Sequence, residues 1–243
     1  MRRILLLAVT LAPLASQALP LGEDFNLDID LALVSDYRSR GISQTQNDPA
    51  AQFGMTLQHA SGLYLGAWTS NVDFGFGAST RQEVDYYAGW YWQASDDISL
   101  DLGYLQYRYP KNSEFNQDDY YVVLSAYGVS LGANYSDDAD NLFGKAQDTL
   151  YSYVGYEAPL PLDIGLQLRY GRMDFKDPMF VSAAGHFSQA YHEWEVKLTR
   201  ELLGVTWGLS YIDTDLSKAE CASSYGFDDV CEATLVASVG RKF

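Results

Sequence analysis

The chain has few basic residues and no long apolar run after its first 18 residues. It has 16 lysines and arginines against 32 acidic residues, which gives a net charge of −16. Because nucleic acids are bound through basic surfaces, this balance argues against a nucleic-acid-binding protein. A membrane-spanning helix needs about 20 apolar residues, so we expect none after residue 18.

Cysteine and histidine are scarce as well. Two cysteines and three histidines occur in 243 residues, and structural zinc sites need four ligands. The sequence also has no glycine-rich loop of the kind that cradles phosphates. We therefore predict no metal and no cofactor. Cys221 and Cys231 are expected to pair in a disulfide if the protein is exported, since disulfides persist in oxidising compartments.

The N-terminal residues indicate export. Arg2 and Arg3 precede an apolar stretch over 4–15, and the small residues Ser16 and Ala18 follow it. This order is typical of a secretory signal peptide, and the stretch is too short for an ordinary membrane helix. We assign residues 1–18 to a signal peptide cleaved near Ala18, with an uncleaved anchor as the alternative. The mature protein, residues 19–243, then carries a net charge of −18.

The mature sequence alternates between apolar and polar residues. In 27–33, every odd position holds Leu or Ile and every even position holds Asp or Ala. Successive side chains of a strand point to opposite faces, so this segment predicts a strand with one leucine face and one acidic face. Eight later segments show the same contrast, and residues 62–73, 118–128 and 148–158 are strand-like without assignable faces. About twelve antiparallel strands are predicted.

The connections between these strands are alternately short and long. Short ones are predicted at 60–62, 95–97, 128 and 159–161, and long ones at 38–49, 74–82, 108–117, 136–147, 172–188 and 213–230. This alternation is typical of outer-membrane barrels. The sequence also has 19 Tyr and 5 Trp, and both residue types are common at lipid–water boundaries.

An all-β chain with this pattern is either a soluble sandwich or a membrane barrel. A sandwich buries its apolar faces and exposes its charges, whereas a membrane barrel does the reverse. The export signal, the aromatic segment ends and the alternating turns favour the barrel. We predict an all-β, antiparallel transmembrane barrel of about 12 strands, in contact with outer-membrane lipid.

Three stretches carry a family resemblance. They are VSDYRSRGISQT at 34–45, HASGLYLGAWTSNVDF at 59–74 and EVDYYAGW at 83–90. They resemble the TorF family of porin-like proteins, also known as the Gcw_chp conserved proteins of proteobacteria, and the resemblance extends over essentially the whole mature chain. Ser39 replaces an aromatic residue of the family pattern. The resemblance implies an outer-membrane location and a porin role, without a substrate.

The chain ends in Phe243 after an alternating strand. A terminal aromatic residue resembles the signal read by the barrel assembly machinery, which is therefore an expected partner. Arg241 departs from that signal, because an apolar residue is usual at its position.

Strand parity assigns a set of charged residues to the barrel interior. If the first strand continues regularly, Arg38 and Arg40 share a face with Asp36, Asp28 and Asp30. We expect the two arginines to line the pore mouth and to pair with inward acids such as Asp36, because rings of opposite charge sort solutes by charge. A salt-bridged lumen that only closes the barrel is the alternative. The other residues predicted to face inward are Asp85, Asp101, Arg169, Glu193, Glu195 and Lys197.

A twelve-stranded barrel lies between filled eight-stranded barrels and open sixteen-stranded channels. We therefore predict a porin or channel for small solutes or ions, with cations favoured by the acidic excess, and not an enzyme. One alternative is a phospholipase-like barrel enzyme using His186 and Ser188, although Gln189-Ala190 stands where Asn-Gly is expected. Another is a structural barrel with a plugged lumen. The oligomeric state stays open.

Overall fold

Twelve long antiparallel strands dominate the computed structural model, which describes residues 18–75, 77–140 and 144–243. The predicted signal peptide lies outside the described residues except for Ala18. The strands are β1 Phe25–Val34, β2 Ala50–His59, β3 Leu63–Asn71, β4 Gln82–Ser95, β5 Ile98–Arg108, β6 Gln117–Ala126, β7 Val129–Asp140, β8 Ala146–Leu160, β9 Ile164–Phe175, β10 Ala190–Leu202, β11 Val205–Thr214 and β12 Thr234–Lys242. This number and direction confirm the sequence prediction.

The first and last strands close the sheet into a barrel. Strand β1 pairs with β2 on one side and with β12 on the other, and every other long strand pairs with its neighbours in sequence. Beyond β12, Phe243 and Ile29 exchange two backbone hydrogen bonds of 2.8 and 3.0 Å. Closure leaves no free sheet edge, so the backbone groups of the ladder are satisfied within the barrel.

The two faces of the sheet have the polarity of a membrane barrel. The side chains of Leu33 and Leu131 point outward and are 59% and 55% exposed, whereas Asp28 and Glu193 point inward and are 7% and 0% exposed. A soluble sandwich would show the opposite arrangement. An apolar exterior around a polar interior is stable when lipid surrounds the barrel. The predicted fold class is therefore confirmed.

Short turns lie at one end of the barrel and longer loops at the other. One short turn differs from the prediction, because β8 continues through Pro159 to Leu160 and the turn occupies 161–163. Leu162 and Asp163 adopt left-handed backbone angles in this three-residue turn, φ 67° and 57°. The sequence pointed to the wrong residues because leucine is unusual in such turns. Strand β7 also extends to Asp140, five residues into the loop predicted at 136–147.

The longer loops pack into a cap with its own apolar core. Helix α1, Lys218–Tyr225, lies in the last loop and begins with a capping box between Ser217 and Glu220. Cys221 forms the expected disulfide with Cys231. The two cysteines pack with Val230 of the same loop and with residues of other loops and of the barrel rim, namely Ile42, Tyr151, Met173, Phe180 and Tyr191. No helix in the described ranges has the length and apolar character to cross a membrane.

Reversing the polarity of one outward position tests this orientation. We expect Met55→Lys, at the middle of β2 on the outer face, to lower the free energy of unfolding by about 2–4 kcal/mol, the cost of a lysine at the bilayer midplane. The matched variant Gln58→Lys keeps a donor beside Asp28, to which Gln58 donates at 2.8 Å, and should change stability little. Urea unfolding in lipid vesicles measures both. Equal costs for the two variants would contradict the assigned faces.

Candidate functional site

The loop that follows β1, residues 35–49, folds inward and is called loop L1. Strand β1 ends at Val34, and Arg38–Ser39 then pairs with Ile42–Ser43 in a small hairpin. The expected regular continuation of the first strand through Arg40 is therefore wrong. Arg40 and Gly41 form the hairpin turn with φ angles of 50° and 86°, and this reversal decides where the predicted arginines lie.

Asp36 and Arg38 hold L1 together. Arg38 donates from Nε to Asp36 Oδ2 at 2.6 Å, as the predicted pairing requires, and Asp36 also accepts from Ser43 Oγ at 2.6 Å. The other Arg38 nitrogens donate to the carbonyls of Gly41 and Glu232 and to Asn47 Oδ1. The Arg38 side chain is only 2% exposed. Arg38 therefore links the first long loop to the last one.

The tip of L1 lies against the barrel wall. A Cβ placed at Gly41 would lie 2.9 Å from Glu193 Cβ on β10 and 2.6 Å from Thr214 Cγ2 on β11. Only glycine fits here, because the approach is too close for a side chain and the backbone is left-handed. The hydroxyl of Tyr191 donates to the Arg40 carbonyl at 2.9 Å and fixes the tip.

Arg40 extends from this tip across the lumen. Its guanidinium donates to Asp119 Oδ2 on β6 at 2.5 Å and lies 5.1 Å from the centre of the Tyr151 ring on β8. Burial alone would lower the pKa of Arg40, but the neighbouring Tyr107 and Asp119 outweigh it and raise the pKa. The guanidinium is therefore a permanent positive charge inside the barrel, and it narrows the passage.

A second charge cluster lies on β9 and β10. Arg169 donates to Glu193 Oε1 at 2.8 Å and pairs with Glu195 Oε2 at 3.0 Å. Glu193 is fully buried and also accepts from the Tyr151 hydroxyl at 2.5 Å. Three residues assigned inward from parity thus meet in one network, and Lys197 follows on the same face of β10.

The remaining predicted acids are distributed along the interior. Asp28 accepts from Gln58 and lies 3.9 Å from the Lys242 ammonium. Asp30 lies beside Gly54 on the neighbouring strand. Asp101 accepts from the Tyr64 hydroxyl at 2.6 Å. Asp85 is 7% exposed and lies on β4 two residues after Glu83.

Glu83 and Asp119 are interior acids that the sequence analysis did not assign as site residues. Each is 1% exposed. Glu83 accepts from the hydroxyls of Tyr37 and Tyr109 at 3.0 and 3.1 Å. The sequence alternation already placed Glu83 on the same strand face as Asp85. Asp119 lies in a segment whose faces the sequence could not assign.

Tyrosine rings cover interior glycines. A Cβ on Gly132 would lie 2.1 Å from the Tyr153 ring, and one on Gly103 would lie 2.3 Å from the Tyr121 ring. Each glycine lets the ring of the neighbouring strand lie flat on the wall. Composition pointed to the lipid boundary for the tyrosines, but part of this set faces the lumen.

Four cavities follow the lumen. One of about 680 Å³ lies at the short-turn end beside Tyr64, Asp101 and Tyr121, and one of about 570 Å³ lies among the long loops. Between them are cavities of about 320 Å³ beside Arg40 and Arg169 and about 310 Å³ beside Asp85. Cavities of this size hold small solutes, and L1 separates the two ends.

The residues of the enzyme alternative, His186 and Ser188, lie in the connection between β9 and β10. His186 lies in a loop, and its backbone N–H donates to Ser182 Oγ. In the described part of the chain, His186 and Ser188 share no side-chain hydrogen bond, which a nucleophile and its base require. No group of three or more His, Cys, Asp or Glu in the described ranges is placed to hold a metal ion.

A closed barrel with an apolar exterior and a charged, partly filled lumen is the architecture of the outer-membrane β-barrels. The chain belongs to the Gcw_chp family, described as bacterial protein of unknown function, whose family model matches residues 22–243. This match confirms the resemblance to the Gcw_chp family that the motifs indicated.

Two solved porins have the same fold. The NanC porin superposes with a TM-score of 0.52 at 13% identity, over 88% of this chain and 97% of that one. The KdgM porin gives 0.50 at 11% identity, over 89% and 98%. At such low sequence identity, the similarity to these two porins establishes the fold alone. No curated protein sequence matches the chain.

The buried Arg169 network is open to a direct test. We expect Arg169→Met to lower the free energy of unfolding by about 3 kcal/mol, because it leaves the buried Glu193 without its cation. Arg172→Met is the control, since Arg172 pairs with Asp174 where both side chains are largely exposed, and such pairs contribute at most about 1 kcal/mol. Urea unfolding compares the two variants. A cost for Arg169→Met no larger than the control's would show that Glu193 does not depend on it.

Proposed function

We propose that this protein is an outer-membrane channel for small polar solutes or ions, a porin of the TorF type without enzymatic activity. Residues 1–18 serve as its cleaved signal peptide and residues 19–243 form the channel. The observation that carries this proposal is the charged lumen of a barrel whose outer face is apolar. This lumen contains cavities at both ends and in the middle. Charged groups inside a membrane are expensive, and they are typical of solute pathways.

The narrowest part of the channel is formed by Arg40 and Asp119. L1 places this pair between the central cavities, so the channel passes small solutes and excludes large ones. The proposed pore-lining residues are Asp28, Asp30, Asp85, Asp101, Glu193 and Glu195 with Arg40, Arg169 and Lys197, while Asp36 and Arg38 hold L1 in place. Acids outnumber bases in this set, which favours cations.

The C-terminal residue is proposed as the contact for the barrel assembly machinery. Phe243 completes the seam between β1 and β12 through its two backbone hydrogen bonds with Ile29. This role is consistent with recognition of the C-terminal strand during assembly in the outer membrane.

A barrel with a permanently plugged lumen is the second candidate. The packing of L1 against β10 and β11 and the Arg40–Asp119 bridge favour it. The two candidates differ in conductance and not in fold.

Planar bilayer recordings separate them. Purified protein is expected to produce discrete current steps, with cation over anion selectivity because of the acidic lumen. Folding is checked beforehand by the slower migration of the boiled sample in gels. Correctly folded protein that gives no steps in potassium chloride would support the plugged barrel and contradict the channel.

Shortening Arg40 tests the constriction. Arg40→Ala is expected to raise single-channel conductance about twofold or more, because it removes the side chain that bridges to Asp119. Arg40→Lys keeps a charge that can reach Asp119 and should conduct nearly as the native protein does. Arg172→Ala alters an exposed arginine outside the lumen and serves as the control. Unchanged conductance in Arg40→Ala would place the narrowest point elsewhere.

A further inference from the structure

The cavity beside Asp85 differs from the others in its walls. Its volume is about 310 Å³, and it lies between L1 and strands β3–β5. Four aromatic side chains line it, Tyr37 from L1, Trp68 from β3, Tyr87 from β4 and Tyr107 from β5, together with the carboxylate of Asp85. Aromatic rings around one acid are the arrangement that proteins use to bind organic cations.

The aromatic walls are fixed by contacts on their far sides. Tyr37 and Trp68 meet edge to face with their ring centres 5.4 Å apart. The Tyr87 hydroxyl bonds Thr56 Oγ1 at 2.6 Å, and its ring lies flat against Gly66. These contacts hold the rings in place before any ligand arrives, which lowers the entropy cost of binding.

One oxygen of the Asp85 carboxyl group lacks a hydrogen-bond partner. Its side chain is 93% buried, and no described residue supplies a hydrogen bond to its Oδ1. Asp85 shares a hydrogen bond with the neighbouring acid Glu83, which also accepts from the hydroxyls of Tyr37 and Tyr109. The nearest cation of L1, Arg40, is bound to Asp119. A buried carboxylate oxygen without a partner is costly, so the cavity has a place for one positive charge.

The chemistry of the walls selects the kind of cation. Metal ions such as Ca²⁺ require about six or more oxygen ligands, whereas this cavity offers one carboxylate among rings. Ring faces attract alkylated ammonium groups, whose charge is spread over methyl groups that also bury apolar area. In the lumen, the Arg40 guanidinium over the Tyr151 ring already shows this type of contact.

We propose that this cavity binds a small organic cation with a quaternary ammonium head, with Asp85 as its counter-charge and Tyr37, Trp68 and Tyr107 as its cage. The inference deepens the proposed channel function by naming a solute class. Binding itself does not require conduction.

Calorimetric titration of the full chain folded in detergent tests the proposal. Choline is the probe, and 3,3-dimethylbutan-1-ol, which has the same shape without the charge, is the matched neutral compound. Choline is expected to bind saturably and at least about tenfold more tightly than the alcohol, because one ion pair and the cage contacts are lost with the charge.

Variants locate the binding. Asp85→Asn and Trp68→Leu are each expected to weaken choline binding about tenfold or more. Asp174→Asn removes the same charge from an exposed site outside the lumen and should leave the affinity unchanged. All variants are first checked for heat-dependent gel migration as a sign of folding. Equal binding of choline and the alcohol, or no loss in either cavity variant, would overturn the proposal.

Bilayer recordings keep this proposal apart from the channel proposal. Choline is expected to reduce the sodium current of the native protein, and Asp85→Asn is expected to relieve this block. A conducting protein that binds no choline would refute the cation site and leave the channel standing. A protein that binds choline through Asp85 without conducting would refute the channel and leave the cation site standing.

Discussion

Everything in this structure depends on the pairing of β1 with β12. Lipid offers no hydrogen-bond partners, so a sheet in a bilayer must satisfy each backbone group within its own ladder. The seam does this through five paired positions and the two hydrogen bonds between Phe243 and Ile29. Once the sheet is closed, the period of two in each strand sends the leucines to the lipid and the acids to the centre.

Closure creates a problem inside, because acids gathered in a narrow lumen repel each other and lose hydration. The barrel solves it in three ways. Arg169 pairs with Glu193 and Glu195, L1 delivers Arg40 to Asp119, and tyrosine hydroxyls donate to Glu83 and Asp101. Asp85 is the interior acid for which these devices leave one oxygen without a partner.

Glycine and tyrosine act together in shaping this lumen. The interior glycines at 66, 103 and 132 leave room for tyrosine rings of adjacent strands to lie flat on the wall. The rings cover the backbone and keep hydroxyls available to the acids. With L1, they turn a barrel of twelve strands into a passage of small cavities. The similarity to the NanC and KdgM porins extends to the fold of the barrel and carries no information about these contacts.

The sequence by itself determined the number of strands, the faces of most of them, the alternation of turns and the inward position of Asp28, Asp85, Asp101, Arg169 and Glu193, because period-two alternation depends only on local chain geometry. It also predicted the Cys221–Cys231 disulfide. Only the tertiary structure decided the course of L1, since parity arguments stop where the strand stops. The reversal at Arg40 and Gly41 depends on contacts with Glu193 and Thr214, about 150 residues or more away in the chain. The partners of Asp119 and the cavity beside Asp85 follow from that long-range packing.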